Sequence, residues 1–428
     1  MAENTTHFPS GDGTGSSTRF NFIMSSNVNG CLAFWARAET AKTNEKAKAF
    51  QNMGGRFVRK VRQIQNLVSP YKLVSLARTE ESLAVRFKSA IGSIIAAAFV
   101  ALAFLSLAGA QTLPKTMKAI VAHEYGGPEV LKYEEMPVPE PKENEILMRV
   151  IASGVNPADS LILNGKYAKE FGTHLPLILG YDMAGVVVKT GAKVTKLKVG
   201  DPVYAYLLWG GGWAEYCISN EGESAIKPKS LSFTDTASVP LAALTAWQAL
   251  IDIGKIHAGQ TALIHGGSGG VGSFAIQIAK VPDAHVIATA STANQDLLKQ
   301  LGADVAIDYT KQKFEEIAHD VDLVLDPVGR DTLARSYGVV KKGGMVITIV
   351  SRCDETELKK HEIRGASLSS HPNAAELTEI TKLIEAGKIK PVVSQVLPLT
   401  DAARADAQAA THHTRGKIVL KIADEPKS

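Results

Sequence analysis

The sequence predicts an α/β protein in which a β-rich domain is joined to a doubly wound parallel sheet. Residues 117–236 contain short segments of alternating polar and apolar residues between Gly and Pro turns, which indicates a compact β-rich domain. Residues 237–365 alternate between strand and helix patterns, which is typical of a doubly wound sheet. Residues 366–428 return to the β-rich domain. A basic extension, residues 1–88, and a hydrophobic segment, residues 89–110, precede these domains.

The individual strands are predicted from short apolar or alternating runs that end at turn residues. In the β-rich domain these runs are Lys118–Ala122, Glu145–Ala152, Gly185–Lys189, Pro202–Tyr206 and Ala214–Ile218. In the parallel sheet they are residues 261–265, 285–289, 305–307, 321–325 and 345–350, with helical segments between them. After a predicted helix at Ala374–Ala386, the chain returns to strands at Pro391–Leu397 and Lys417–Ile422.

An uncharged hydrophobic run separates the basic extension from the predicted domains. Residues 1–30 are rich in Ser, Thr, Asn and Gly, which predicts disorder. Residues 89–110 carry no charged side chain, follow Arg86 and Lys88, and end in Ala108-Gly-Ala110. These features are typical of a secretory signal, and the run is also long enough to span a bilayer as one helix. The sequence therefore predicts an exported or membrane-tethered protein, or a cytoplasmic one if its true start lies further in.

The basic charge of the chain belongs to its extension. The first 110 residues hold 13 basic and 6 acidic side chains, a net charge of +7, whereas the whole chain carries only +4, so the remainder carries −3. We therefore expect no nucleic-acid partner for the larger part. The three cysteines are widely spaced and can form neither a four-cysteine zinc lobe nor a disulfide framework.

A glycine-rich turn follows the first strand of the predicted parallel sheet. The apolar run Thr261–Ile264 leads into Gly267-x-Gly269-x-x-Gly272, and an apolar helical pattern comes next. This order is typical of dinucleotide-binding domains, although a turn without a ligand is the alternative. Gly267 is predicted to permit the tight turn, Gly269 the approach of a diphosphate, and Gly272 close packing of the helix. The predicted diphosphate contacts at the start of the helix are Ser268, Gly269, Gly270 and Val271.

Further motifs are spread over the whole of residues 117–428. They are Met117-Lys-Ala, Tyr125-Gly-Gly-Pro-Glu-Val-Leu131, Gly154-Val-Asn-Pro-Ala-Asp159, Gly180-Tyr-Asp-Met-Ala-Gly185, Gly200-Asp-Pro-Val203, Gly212-Trp-Ala-Glu-Tyr216, Leu301-Gly-Ala-Asp304 and Gly416-Lys417. With these motifs the segment resembles the zinc-independent quinone oxidoreductase (zeta-crystallin-like) branch of the medium-chain dehydrogenase/reductase superfamily. The resemblance implies a GroES-like catalytic domain, a Rossmann domain, an active site in the cleft between them, and a homodimer.

No metal is expected at this site. Zinc-dependent relatives hold a catalytic zinc with Cys and His in the segments that match Gly154–Asp159 and Gly180–Gly185, where this chain has Val155, Asn156 and Tyr181. A single carboxylate, Asp159 or Asp182, cannot replace three such ligands. Without a Lewis acid, hydride addition to a quinone or conjugated enone is easier than oxidation of an alcohol, because the negative charge spreads along the conjugated system and hydrogen-bond donors can hold it.

The resemblance also assigns site residues. Asn156 and Tyr167 match residues that line the pocket near the nicotinamide, and we predict an amide donor and a phenolic donor or proton relay. Asn156 is also suited to a turn before Pro157, and Tyr167 to simple packing. Asp159 is expected to be a structural hydrogen-bond acceptor. Thr245 matches a contact to the nicotinamide carboxamide or phosphate, with an ordinary helix-surface threonine as the alternative. The residues expected to line the nicotinamide side of the cleft are Val328, Ile349 and Ser351.

The end of the second strand of the parallel sheet predicts the coenzyme. NAD sites normally have Asp or Glu there, but the strand from His285 ends at Ser291 without an acid. The absence of an acid is expected to remove repulsion of a 2′-phosphate. Ser291 and Thr292 supply hydroxyl groups, and by resemblance Tyr309 contacts the phosphate. No Arg or Lys follows Ser291 directly. The sequence therefore predicts an NADPH-dependent reductase, with a 2-enoyl thioester reductase or a non-catalytic NADPH-binding protein as alternatives.

Overall fold

The computed structural model describes residues 113–168 and 172–426. The basic extension and the hydrophobic segment predicted at residues 1–88 and 89–110 lie outside these ranges. Among the described residues, no helix has both the length and the apolar character needed to cross a membrane.

The β-rich part of the chain contains two sheets. A small sheet has the strand order β2-β1-β4, and a larger one has the order β15-β16-β3-β5-β6-β8, with β7 paired to β3. These strands are β1 (Thr116–Ala122), β2 (Leu131–Pro137), β3 (Glu145–Val155), β4 (Leu177–Ile178), β5 (Asp182–Thr190), β6 (Pro202–Tyr206), β7 (Tyr216–Asn220), β8 (Ser224–Ile226), β15 (Val393–Pro398) and β16 (Lys417–Lys421). The last two strands, β15 and β16, belong to the larger sheet.

The remaining strands form the predicted parallel sheet. Their order is β11-β10-β9-β12-β13-β14, and every neighbouring pair is parallel. This corresponds to the order 3-2-1-4-5-6 of dinucleotide-binding domains, in which ligands bind at the carboxyl ends of the strands. The strands are β9 (Thr261–Ile264), β10 (His285–Ala290), β11 (Val305–Asp308), β12 (Val321–Asp326), β13 (Val340–Thr348) and β14 (Arg364–Ser367).

The described helices lie between and around these strands. They are α1 (Pro157–Leu163), α2 (Phe233–Ala237), α3 (Pro240–Trp247), α4 (Gly270–Lys280), α5 (Gln295–Gln300), α6 (Arg330–Ser336), α7 (Glu355–His361), α8 (Ala374–Glu385) and α9 (Ala402–Ala409). A π-helical turn, Gln248–Ile253, extends α3. One hydrophobic cluster connects Ile151 and Tyr204 of the β-rich part with Leu244 of α3 and Ile264 of the parallel sheet. This shared core fixes the orientation of the two parts around the site.

Most differences from the predicted strands have a simple physical cause. The predicted start of β7 at Ala214 is wrong, since Ala214 forms only an isolated bridge with Ala119 and the strand begins at Tyr216. The fifth strand of the parallel sheet covers Val340–Thr348 instead of residues 345–350. The sequence pattern missed β2 and β14, because both lack buried residues and so have little apolar signal.

Candidate active site

The glycine-rich turn follows β9 at the carboxyl edge of the parallel sheet. Gly266 has φ +57°, a left-handed conformation that glycine adopts without steric cost. The prediction that Gly267 permits the tight turn is therefore wrong, since that conformation belongs to Gly266. Gly267 has a packing role, because a Cβ there would lie 2.8 Å from Leu298 Cδ2 and 3.0 Å from Ile276 Cδ1.

The start of α4 leaves room for a diphosphate. Gly269 is the N-cap of α4, with φ −81° and ψ 179°, and the nearest neighbour of a Cβ there would be the Gly266 carbonyl oxygen at 3.3 Å. The first N–H groups of a helix have no acceptor within the helix and favour an anion. At Gly272, by contrast, a Cβ would lie 2.2 Å from the Gly266 oxygen. The close packing predicted for Gly272 is therefore present, and the open space at Gly269 leaves its role as the diphosphate contact a prediction.

The strands next to β9 place further predicted residues beside the glycine turn. A Cβ on Gly266 would lie 3.6 Å from Val328 Cγ2, so the half-exposed Val328 lies close to the turn. A Cβ on Gly329 would lie 2.7 Å from Ser351 Oγ, which places Ser351 beside the loop that follows β12. The buried Asp326 carboxylate holds this loop by accepting hydrogen bonds from the Val328 and Gly329 N–H groups. The partly buried Ile349 donates its N–H to the Asp326 carbonyl oxygen, at 3.1 Å.

The buried His265, which was not predicted as a site residue from the sequence, supports the glycine-rich turn through Thr289. The buried imidazole contacts Thr289 Oγ1 at 3.2 Å and Ser336 Oγ at 3.0 Å. Thr289 also accepts hydrogen bonds from the turn, through its carbonyl oxygen from Gly267 N–H and through Oγ1 from Gly266 N–H. Burial lowers the pKa of His265 from 6.5 to about 3, with a smaller contribution from Arg335. The imidazole is therefore neutral at physiological pH.

This neutral histidine predicts a loss of stability in acid. Below pH 6.5 the unfolded chain binds a proton at His265 that the folded protein excludes until the pH approaches 3. The stabilisation is therefore complete above pH 6.5 and is lost as the pH falls. At about 1.4 kcal/mol per pH unit, the free energy of unfolding should fall by about 2 to 3 kcal/mol between pH 7 and 4.5 from this group. Urea unfolding of wild type and His265→Gln at a series of pH values measures this decrease. An equal pH dependence of the free energy of unfolding in both proteins would contradict the claim that His265 is neutral in the folded protein.

Three neighbouring strands bring together a buried polar cluster that the sequence pattern did not reveal. In the register of β16 and β3, Ile418 lies opposite Val155, so Lys417 and Asn156 occupy adjacent positions at the strand ends. On the other side of β3, Gly154 lies opposite Asp182. A Cβ at Gly154 would lie 2.8 Å from Asp182 Oδ2, so glycine is needed there to accommodate the carboxylate.

The cluster fixes the orientation of the Asn156 amide. Asn156 is 3% exposed. Its Nδ2 donates to Asp182 Oδ2 at 2.9 Å, and its Oδ1 accepts a hydrogen bond from Lys417 Nζ. Lys417 Nζ also forms an ion pair with Asp182 Oδ2 at 2.8 Å. An amide nitrogen carries two hydrogens, so the Asp182 contact uses one N–H and the other can serve a ligand. Asn156 is also the N-cap of α1, as the Pro157 turn signal indicated.

Lys417 links this cluster to the glycine-rich turn. Its stem lies over the start of α4, because a Cβ on Gly270 would lie 3.0 Å from Lys417 Cδ. The preceding residue, Gly416, donates its N–H to the Ser268 carbonyl oxygen at 2.7 Å. Asp182 connects to α3 through Oδ1, which accepts the Leu241 N–H at 2.6 Å. The cluster therefore lies where the β-rich part meets the glycine-rich turn of the parallel sheet.

Asp159 is a structural hydrogen-bond acceptor, as predicted from the sequence. Its two carboxyl oxygens accept the backbone N–H groups of Asn156, at 2.7 Å, and Gly180, at 2.9 Å. Burial raises the pKa of Asp159 to about 8, and the nearby Asp406 adds to this increase. Both contacts hold backbone segments in place, so Asp159 positions the start of α1.

Tyr167 and Thr245 lie in different environments. Tyr167 follows α1 and is partly buried, with Lys166 Nζ 5.3 Å from the centre of its ring. Thr245 lies inside α3 and is buried, which contradicts the helix-surface alternative. Its Oγ1 contacts the Leu241 carbonyl oxygen at 2.7 Å and Ser370 Oγ at 2.8 Å. Thr245 therefore connects α3 to the segment before α8.

A carboxylate of the neighbouring strand β11 lies beside the end of β10. Asp308, the last residue of β11, pairs in register with Ala290 and accepts a hydrogen bond from Thr292 Oγ1 at 2.6 Å. β10 itself ends without an acid, as the sequence predicted, but β11 places the Asp308 carboxylate beside that end. The partly buried Ser291 accepts a hydrogen bond from Asn294 Nδ2, and Tyr309 is half exposed.

The described residues contain no group of three or more His, Cys, Asp or Glu side chains that could hold a metal ion. At the positions that match zinc ligands, Asn156 makes the amide contacts described above. Tyr181 is buried, and burial raises its pKa above its usual range, so its phenol stays protonated. Neither side chain is a ligand that zinc prefers.

Comparison with known proteins identifies the family. Residues 142–240 match the alcohol dehydrogenase GroES-like domain, and residues 301–420 match the zinc-binding dehydrogenase domain. The chain is 39% identical over 322 residues to an NADPH-dependent alkenal/one oxidoreductase from Arabidopsis thaliana, and the match covers 72% of this chain and 80% of that protein. The chain belongs to the medium-chain dehydrogenase/reductase superfamily. Within it, the chain falls in the quinone oxidoreductase branch, which lacks the zinc-binding signature.

Two solved structures have the same fold. The quinone oxidoreductase from Coxiella burnetii is 36% identical, with a TM-score of 0.67, and the match covers 72% of this chain and all of that one. The enoyl reductase CurK is 27% identical, with a TM-score of 0.67 and the same coverage. The matched share of the chain is similar in length to residues 117–428, the segment on which the resemblance was based.

Proposed function

We propose that the chain is an NADPH-dependent reductase that transfers hydride to a quinone or a conjugated enone without a metal. The observation that carries this proposal is the Asn156–Asp182–Lys417 cluster, which places an oriented amide donor beside the glycine-rich turn. The alkenal/one oxidoreductase and the quinone oxidoreductase among the relatives support the same substrate class and, for the former, the coenzyme.

The residues at the carboxyl edge of the parallel sheet fit the coenzyme. The first turn of α4, from Gly269 to Val271, would hold the diphosphate, and Val328 and Ser351 would line the nicotinamide side. When bound, NADPH supplies the hydride. Thr245, fixed through Ser370, would help to position the nicotinamide end. Ser291 and Tyr309 would lie at the adenosine end, beside β10 and β11.

Asn156 would stabilise the charge that develops on the substrate. In enone reduction a C–H bond forms at the β-carbon, the C=C electron pair shifts towards the carbonyl oxygen, and a proton later adds to the α-carbon. The growing oxyanion needs a preorganised donor. Lys417 and Asp182 hold the Asn156 amide in one orientation, so no reorganisation is required during the reaction. Tyr167, partly buried after α1, would act as the phenolic donor or proton relay.

A steady-state assay tests this proposal. The full chain should oxidise NADPH in the presence of a simple quinone or a conjugated enone, but not with a saturated ketone, because only a conjugated acceptor spreads the charge. NADPH should give a higher kcat/KM than NADH, and prior treatment with a chelator should change neither rate. Turnover that disappears with removal of stoichiometric zinc, or absence of NADPH oxidation with every conjugated acceptor, would contradict the proposal.

The similarity to CurK favours one alternative substrate class, a 2-enoyl thioester. This reaction uses the same hydride addition to a conjugated carbonyl, so the cluster at Asn156 does not distinguish the two. Comparison of kcat/KM for a small enone and for an enoyl thioester of the same chain length decides between them. We expect the small enone to give the higher value.

We further propose that the enzyme forms a homodimer and that residues 89–110 direct it to a membrane or through one. The exposed edge strand β14 is available to pair with a second copy, which supports the first point. The uncharged character of the hydrophobic segment supports the second.

A further inference from the structure

Four polar side chains form a cluster at the carboxyl ends of β10 and β11. Asp308 Oδ2 accepts a hydrogen bond from Thr292 Oγ1 at 2.6 Å, and Oδ1 accepts one from Thr310 Oγ1 at 2.7 Å. The Thr310 N–H donates to Oδ1 as well, at 3.1 Å. Lys311 Nζ lies 3.5 Å from Oδ2, and its side chain is 66% exposed. We call these residues, Thr292, Asp308, Thr310 and Lys311, the ribose-edge cluster.

The position of this cluster relates it to the coenzyme. In doubly wound dinucleotide-binding sheets the adenosine ribose lies at the end of the second strand, where an acid selects NAD and a cation accommodates the 2′-phosphate of NADP. Here the second strand is β10, which ends at Ala290 without an acid. Asp308 pairs with Ala290 in register, and its hydrogen bond with Thr292 brings the carboxylate to the loop that follows β10.

The cluster holds one acidic and one basic side chain. Hydrogen bonds from Thr292 and then Thr310 lower the pKa of Asp308 to about 2, so the carboxylate is ionised. A negative charge here opposes a 2′-phosphate. Lys311 carries the balancing positive charge on a long side chain that extends into solvent, so the ammonium group can reach either the carboxylate or a bound phosphate.

We propose that Asp308 and Lys311 set the coenzyme selectivity of this enzyme, Asp308 by disfavouring the 2′-phosphate and Lys311 by binding it. The inference rests on the proposed function, since it concerns the adenosine end of the same coenzyme site. The two charges act in opposite directions, so wild type should prefer NADPH only moderately. Removal of the carboxylate should raise the preference, and removal of the ammonium group should lower it.

The test separates the 2′-phosphate from the rest of the coenzyme. The probes are adenosine 2′,5′-bisphosphate and adenosine 5′-monophosphate, which differ only in that group, and calorimetry gives the dissociation constant of each for the full chain. The selectivity is the ratio of the monophosphate constant to the bisphosphate constant. We expect Asp308→Asn to raise this ratio about tenfold and Lys311→Gln to lower it about fivefold. Changes of this size are expected when one partly screened charge next to a phosphate is removed.

Lys313→Gln is the matched control, because Lys313 is an exposed lysine two residues further along the same segment. It removes the same charge and should leave the ratio within twofold of wild type. The ratio of kcat/KM for NADPH and NADH should move in the same directions in all three variants. If Asp308→Asn disturbs folding, the ratio measured for Lys311→Gln alone still tests the proposal. Ratios within twofold of wild type in both folded variants would overturn the inference while leaving the proposed function intact. If wild type binds neither nucleotide, the dinucleotide site itself is refuted, and with it the inference.

Discussion

Replacement of Gly269 with valine should remove coenzyme binding while the protein stays folded. Gly269 has an extended backbone conformation that any residue can adopt, and the nearest neighbour of an added Cβ would be the Gly266 oxygen at 3.3 Å. The side chain would thus occupy the space before α4 where the diphosphate is expected to approach the helix N–H groups. We expect NADPH affinity to fall by about 3 kcal/mol or more, which is over a hundredfold in the dissociation constant.

Calorimetric titration with NADPH measures this loss, and thermal unfolding shows whether the fold survives. Gly272→Val provides the contrast, because its Cβ would lie 2.2 Å from the Gly266 oxygen and 2.7 Å from Gly267 Cα. That variant should be destabilised or fail to fold, whereas Gly269→Val should keep a melting temperature close to that of wild type. Unchanged NADPH affinity in folded Gly269→Val would show that this turn is not the coenzyme site.

Replacement of Asn156 with alanine should lower kcat by about tenfold to a thousandfold. Loss of one oxyanion donor has an effect of this size in other enzymes, because the hydrogen bond strengthens only as charge develops. NADPH affinity should change little, since the backbone N–H groups of the first turn of α4, and not the Asn156 amide, are expected to hold the diphosphate. The measurement is kcat and KM with a quinone, together with the NADPH dissociation constant.

Asn164→Ala is the matched control, since Asn164 is the exposed C-cap at the other end of the same helix. It should keep wild-type kcat. Tyr167→Phe should have a smaller effect than Asn156→Ala, because a water molecule can replace the phenol. A larger effect of Tyr167→Phe would reverse the two roles. Wild-type kcat/KM in both variants would leave Asn156 only its structural role at the start of α1.

The fold was largely predictable because its signals are local. Alternating runs such as Pro202–Tyr206, and the succession of strand and helix after Ala237, reflect burial on one or both faces of a strand. The glycine-rich turn was also found correctly, but the residue with positive φ was not. Five of the seven residues from Gly266 to Gly272 are glycine, so composition alone does not show which one adopts the left-handed conformation.

The polar clusters could not be predicted, because they depend on strand register. Lys417 is 235 positions from Asp182, and only the pairing of β16 and β5 with β3 brings their side chains together. A lysine at the start of the otherwise apolar run Lys417–Leu420 was one available signal of a buried charge. Asp308 was missed for a related reason, since the sequence rule inspects the end of the second strand and this carboxylate comes from the third.

The most direct test of the proposed function follows the hydride itself. The full chain is incubated, in the presence of a chelator, with a conjugated enone and NADPH that carries deuterium at the transferred position of C4. Mass spectrometry and NMR then locate the label in the saturated product. Our account predicts one deuterium at the β-carbon and a solvent-derived proton at the α-carbon. Product without label at the β-carbon, or no product until zinc is added back, would contradict it.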